Sequence, residues 1–257
     1  MKKKYSAIKA KGVLIEWFDV LGDTRDLTPI VSDIERDRTT YSARPGFVRK
    51  LLPIARDLVT GASYSGGSYL FDTPENAIAH QRWSTMEHRV DGLLFPEQPW
   101  LSNFDGFVGE LVGAVDGECD LAGHAAKRIL VWSVAGRSVR TVASELWPRI
   151  LGSIKDGSIV SAWLGVNEGS STIGLVLVCA RDVGQYSYPH NVYERLRAVE
   201  LFDGDISPDG QIIVDRCMQV FTIWLPPKRR RPTPGLWPNS PPLPSPEYHA
   251  QFSAGAV

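Results

Sequence analysis

The chain is short of several features that commonly announce a function. Its three cysteines, Cys119, Cys179 and Cys217, are odd in number and far apart, with no CxxC pair. That argues against a disulfide framework and for a reducing, cytoplasmic setting. Charge of one sign is missing too: 28 Lys plus Arg face 29 Asp plus Glu in 257 residues. No nucleic-acid or anionic-membrane partner is therefore expected. The longest apolar run lies near Leu175–Ala180, far below the ~18 residues that would span a bilayer. The basic start, MKKKYSAIKAKG, lacks the apolar stretch of a signal peptide, so residues 1–11 read as a solvated tail.

Short catalytic signatures are absent as well. There is no GxGxxG and no GxxxxGKS, and GASYSGG at 61–67 lies between strands, where no helix N-terminus would meet a phosphate. Ser65 stands where the closing glycine of GxSxG would be needed. The five histidines, His80, His88, His124, His190 and His249, form neither HxH nor HExxH. No metal and no cofactor is expected from these patterns, although a single axial imidazole on haem, or a flavin site, needs no short motif.

What is present is a chain with 43% hydrophobic residues and eight tryptophans, enough for a sizeable core. GVLIEWFDV at 12–20 reads as a strand, and Leu27, Ile30, Val31 and Ile34 give helical spacing over 26–40. Phe47 to Thr60 reads as extended, interrupted at Pro53. GASYSGG supplies turn chemistry before the strand Ser68–Phe71, so the pair reads as a hairpin. Thr73-Pro74-Glu75 then offers an N-cap, a proline at the first helical position and an acid in the first turn, opening a helix to about His88. An irregular segment precedes a strand at 106–115.

The same order recurs in the second half. A strand at 128–134 is followed by a helix at 138–154 with Val142, Leu146 and Ile150 on one face, two strands at 158–166 and 172–180 joined at Asn167–Ser170, a helix at 191–201 and a strand at 216–225. The fold class expected is α+β, with tandem ferredoxin-like βαββαβ repeats at 12–118 and 126–226. Residues 227–257, rich in proline, read as an extended or disordered tail.

Pro45-Gly46-Phe47 with Lys50, then Gly66-Gly67 with Tyr69-Leu70-Phe71, then Ala77 and Ala79 form a pattern that resembles the YdhR-like mono-oxygenase family of the dimeric α+β barrel superfamily. The likeness covers about residues 12–116. It implies two ferredoxin-like units whose sheets form a barrel, here within one chain as a monomer or again as a homodimer. The superfamily includes cofactor-independent oxygenases of aromatic polyketides. This chain departs from the family pattern by inserting residues 92–105 and by placing Ser84 and Glu87 where histidine and arginine are common.

Candidate chemistry gathers on a few residues. His80, Trp83 and Glu87 are spaced by three and four, on one helical face. Turned to solvent, that face is an ordinary surface; turned inward, it is an acid/base pair beside an indole. Glu16 and Asp19 are acids inside an apolar strand, and alternation sends Glu16 to one sheet face and Trp17 with Asp19 to the other. Tyr69, Trp83, Trp100, Trp132, Trp163, Trp224 and Trp17 are candidates for an aromatic cavity wall or for core packing. His190, within RDVGQYSYPHNVY, is a candidate ring-binding residue on a loop. The function expected is a tailoring enzyme of natural-product metabolism acting on a hydrophobic, aromatic or polyketide-like small molecule, as a cofactor-independent mono-oxygenase. Oxygen-independent cyclisation, dehydration or isomerisation is the alternative, as is a barrel that binds a ligand without turnover.

Overall fold

The computed structural model describes residues 5–21, 38–56, 63–117, 125–155, 159–180 and 210–224. Strand β1 (Tyr5–Ala7) and strand β2 (Gly12–Val20) are followed by the short helix α1 (Arg38–Ser42), β3 (Phe47–Arg56), β4 (Ser63–Ser65) and β5 (Ser68–Phe71). Helix α2 (Pro74–Arg82) runs into a wide π turn (Trp83–Glu87), a small hairpin of β6 (Arg89–Val90) and β7 (Leu93–Leu94), a single 3-10 turn (Phe95–Glu97) and the long strand β8 (Leu101–Gly117). The second half contributes β9 (Ala125–Ser133), α3 (Val139–Lys155), β10 (Ser161–Asn167), β11 (Thr172–Ala180) and β12 (Ile212–Trp224).

Among the described residues, all strands except β6 and β7 join one ten-stranded antiparallel sheet. Because β8 pairs with β2 on one side and with β10 on the other, and β12 pairs with β3, the sheet closes on itself. The architecture is α+β, with tandem ferredoxin-like units making one barrel within a single chain. Closure satisfies edge donors that would otherwise template aggregation.

Alternation sorts the side chains into three layers. Val13, Ile15 and Trp17 of β2 point inward and pack with Ile129 and Val131 of β9, Trp163 of β10 and Val176 of β11, so the barrel interior is a packed core. Leu14, Tyr69 and Phe71 point outward to Ala77 of α2 and Tyr41 of α1. Leu130 and Trp132 point outward beneath Val142, Leu146 and Ile150 of α3, the stripe its spacing predicts.

Several sequence expectations are corrected. Ser63–Ser65 lies within GASYSGG, yet it forms β4, pairing with both β2 and β3 just as β5 does. Gly66-Gly67 is thus a break inside one strand line rather than the end of a turn. The reason is a close approach: a Cβ at Gly66 would collide with the Glu16 carbonyl oxygen, and the Glu16 amide donates to the Gly67 carbonyl at 2.7 Å. Residues 5–7, expected in a solvated tail, form β1 against β8. The segment after α2 is ordered by Asp91-Gly92, both at positive φ (53° and 84°) as a tight two-residue hairpin requires. Residues 26–37, the helix at 191–201 and the tail at 227–257 lie outside the described residues.

Candidate functional site

On the outer face of the first half, between the sheet and its helices, an open cleft has about 660 Å³ of empty space counting its mouth. Its position differs from the barrel cavity expected from the tryptophan content, because the indoles of Trp17 and Trp163 fill the barrel core instead.

The floor of the cleft is polar. Glu16 of β2, Lys50 of β3, Tyr69 of β5 and Ser84 of the π turn converge there. Each is buried, and each sits on the outward face of its strand or turn. The Tyr69 hydroxyl donates to the Glu16 carboxyl. Ser84 Oγ lies 3.4 Å from Glu16 Oε1 and 3.0 Å from the Gln81 carbonyl oxygen. Its hydroxyl proton is thus shared between the Gln81 carbonyl and the Glu16 carboxylate, the longer contact being to Glu16. Lys50 Nζ stands 4.6 Å from the Tyr41 ring centre and 4.7 Å from that of Tyr69, a cation held between two π faces.

Burial dominates the electrostatics. It raises the Glu16 pKa above the ordinary carboxylate value, against the opposing pull of the Lys50 ammonium, the Tyr69 and Ser84 hydroxyls and Lys127. Burial and the nearby Glu16 charge push the Tyr69 phenol well above its usual range. The result is a carboxyl group that is a stronger base than a surface glutamate, set beside two donors able to meet an anion.

The outer wall is aromatic. Phe18, Phe95 and Trp100 line the mouth and pack edge-to-face, with ring centres 5.4 Å (Phe18–Phe95) and 5.8 Å (Phe18–Trp100, Phe95–Trp100) apart. Phe95 and Trp100 come from the insertion, which Gln98 pins by donating to the Val90 carbonyl at 3.1 Å. The departure from the family pattern therefore builds one wall of the cleft.

The structure places the sequence candidates as follows. Glu16, Tyr69 and Trp100 line the cleft. His80 lies behind Tyr69 in a box of Tyr41, Tyr69, Phe71 and Trp83, ring centres 5.0–5.5 Å away, and neither of its ring nitrogens has a hydrogen-bond partner among the described residues. Burial, then the Lys50 and Arg44 charges and His88, hold its pKa well below the usual histidine value. Glu87 does not join it. The α spacing stops at Arg82, the π turn takes more residues per turn and so rotates the chain less per residue, and Glu87 is exposed, 3.3 Å from Arg82. Trp83 stacks on His88 at 4.4 Å, with Arg44 over its other face.

Asp19 is committed elsewhere, accepting from Arg216 at 2.7 Å and from Asn103 at 2.6 Å. Trp132 is core beneath α3. Trp163 donates to Ser161 at 3.1 Å inside the barrel. The His190 position and the Trp224 side chain lie outside the described residues. Sequence reasoning missed Tyr41, Lys50, Ser84, Phe18 and Phe95 as site residues. Lys50 carried a signal as the basic position three residues after Phe47, and Ser84 as a departure from the family pattern; the others converge through strand alternation and the insertion. Among the described residues no three His, Cys, Asp or Glu gather as a metal site would require, and no helix is long and apolar enough to cross a membrane.

No known family profile and no curated protein matches the chain. Solved structures do. The fold is similar to that of a candidate monooxygenase from Fusobacterium nucleatum subsp. nucleatum, with a TM-score of 0.57 and 14% identity over 84% of this chain and 94% of that one. It is also similar to an anthrone oxidase-like protein, with a TM-score of 0.55 and 10% identity over 89% and 99%. A candidate monooxygenase from Lactobacillus acidophilus NCFM gives a TM-score of 0.50 and 10% identity over 83% and 96%. At these identities the likeness shows the shared α+β barrel fold.

Proposed function

We propose that the protein is a small-molecule oxygenase acting on a hydrophobic aromatic substrate with an acidic C–H or O–H group. The observation that carries this reading is Glu16, a buried carboxyl group on the floor of an aromatic-walled cleft, hydrogen-bonded to Tyr69 and beside Lys50. The YdhR-like sequence pattern and the anthrone oxidase-like neighbour agree with it.

In this reading the ring system lies along Phe18, Phe95 and Trp100, with its acidic position toward Glu16. The Glu16 carboxylate takes the proton, and the electron pair left on the substrate delocalises into an enolate or phenolate. Its oxygen is met by the Lys50 ammonium and the Tyr69 hydroxyl, donors already in place before charge develops. The electron-rich carbon transfers electrons to dioxygen and bonds to it, giving a peroxide that is protonated by Glu16. Loss of water then turns the original CH2 into C=O: one oxygen atom enters the product and the other leaves as water. Glu16 returns to its carboxylate form. The apolar walls limit competing proton exchange with solvent.

Anthrone is the first substrate to test, under air and under argon, with oxygen uptake and product mass followed against spontaneous oxidation. Protein-dependent formation of anthraquinone with one labelled oxygen from labelled dioxygen is expected. Glu16→Gln should lower that rate by roughly 100-fold or more, the usual worth of a positioned general base. A product that forms equally under argon, or a Glu16→Gln variant as active as wild type, overturns the reading.

A further inference from the structure

Gly67 is the second glycine of GGSYLFD, and its backbone does not call for one. The glycines at positive φ among the described residues are Gly46, Gly92 and Gly136, so Gly67 lies outside the left-handed region. The reason for a glycine here is space. A Cβ at position 67 would stand 2.2 Å from Tyr69 Cε2 and 2.6 Å from both Cζ and the hydroxyl oxygen, far inside van der Waals contact. Gly67 and Tyr69, two apart on one strand line, share the outward face and both line the cleft. Ser68, between them, turns the other way and accepts from Lys127 Nζ of β9 at 2.8 Å.

The Tyr69 ring is boxed in. It is 2% exposed, stacks on Phe71 at 6.3 Å, meets His80 at 5.0 Å and has Lys50 Nζ 4.7 Å from its centre. A methyl group at position 67 is therefore not cleared by a small withdrawal of the ring into a packed neighbourhood. The ring has to turn about its side-chain bonds, and the hydroxyl at its tip moves furthest. That hydroxyl is the one that donates to Glu16. The backbone fixes the other side of the contact, because the Glu16 amide donates to the Gly67 carbonyl at 2.7 Å.

We propose that Gly67 is a positioning residue of the Glu16 site: by carrying no side chain it leaves the volume in which the Tyr69 phenol lies, and so sets the phenol hydroxyl against the Glu16 carboxyl. The two glycines clear different neighbours, Gly66 the Glu16 carbonyl oxygen and Gly67 the Tyr69 ring. The other titratable groups that act on Glu16 or line the cleft with it are Lys50 of β3, Tyr41 of α1, Asp91 between β6 and β7, and Lys127 of β9, beside the Ser84 hydroxyl. All three atoms nearest to a Cβ at position 67 belong to Tyr69, so a substitution there acts through that side chain.

The part of Gly67 in catalysis rests on the oxygenase reading, but its effect on Glu16 is tested without a substrate. In the full-length, carbon-13-labelled protein, the Glu16 side-chain carboxyl is titrated by NMR and assigned by its loss in Glu16→Gln. Gly67→Ala is expected to raise the Glu16 midpoint by about half a pH unit or more, as loss of a donor to a carboxylate requires, and Tyr69→Phe to do the same. In the Tyr69→Phe background, where the hydroxyl is already gone, Gly67→Ala should leave the midpoint unmoved. An unchanged midpoint in folded Gly67→Ala, or an equal shift in both backgrounds, overturns the proposal. If Gly67→Ala does not fold, Tyr69→Leu decides, because leucine ends short of the three atoms in conflict: the double variant should then fold with the Tm of Tyr69→Leu, and its failure to fold where Tyr69→Leu folds overturns the proposal. With anthrone, Gly67→Ala should lower kcat about as much as Tyr69→Phe does; a raised KM with kcat intact would assign the effect to a narrowed cleft and overturn the catalytic role. A shifted midpoint without anthrone turnover would sink the oxygenase reading and leave the placement of Tyr69 by Gly67 standing.

Discussion

Burial acts on the ionisable side chains of this protein in opposite senses, lifting Glu16 and lowering His80 and Lys127. For a base that must be ionised, the kcat/KM profile should rise with pH along a limb centred above 4.5, the reference value for Glu16. A limb that persists unchanged in Glu16→Gln would assign it to another group. His80 makes a separate prediction about stability. Its folded pKa lies below 6.5, so the unfolded chain binds the extra proton, and the His80 contribution is full above that value and is lost as pH falls toward the folded pKa. His80→Phe removes an imidazole whose nitrogens, among the described residues, have no hydrogen-bond partner. It should raise stability by about 1–3 kcal/mol and flatten the acid-side fall in Tm. A lower Tm would show that His80 has a partner that only the functioning protein provides.

The strand line through β4 and β5 is where the fold makes the site. Gly66-Gly67 breaks the ladder for two residues, keeps the hydrogen bond from the Glu16 amide to the Gly67 carbonyl, and lets the backbone sit against Glu16. Gly66→Ala should therefore cost about 2 kcal/mol or more in thermal or urea unfolding. Gly152, on an open face of α3 where an added methyl group would meet no described atom within 4 Å, is the control. Gly152→Ala should stabilise by about 0.5–1 kcal/mol. Equal effects at the two glycines would contradict the close approach. Helix α2 was legible down to its cap: Thr73 Oγ1 accepts from the Asn76 amide at 3.2 Å, as Thr-Pro-Glu suggested. Its end was not legible, because a π turn has no local residue signature comparable to a cap, and the expected pairing of Glu87 with His80 fails there.

At the scale of the whole molecule, closure ties the halves together through β8–β10 and β12–β3, through the partly buried Arg216–Asp19 ion pair and through Ser161 of β10 on Asp116, which Arg49 of its own half also holds. Arg49 of β3 and Asp116 of β8 bind by two contacts, Asp116 also accepts from Ser161 at 2.9 Å, and Arg216 of β12 reaches Asp19 of β2. The chain should unfold in one cooperative transition. Arg49→Ala should destabilise by about 1–2 kcal/mol, since it leaves the partly buried Asp116 without its cation but with its Ser161 hydrogen bond. Two separated transitions in calorimetry of the wild type would contradict a shared barrel.

Element order, the helix stripe of α3 and the α+β class were set by local patterning, because periodicity and turn chemistry act over a few residues. Alternation also separated Glu16 from Trp17 on opposite faces of β2. Which face holds a cleft was decided only in three dimensions: barrel closure filled the inside with Trp17 and Trp163, while the insertion walled the outside with Phe95 and Trp100. Nothing local to AAKRILVWS at 125–133 marks Lys127 as a neighbour of GGSYLFD at 66–72. That contact exists because a closed sheet brings strands from the two halves face to face across one core.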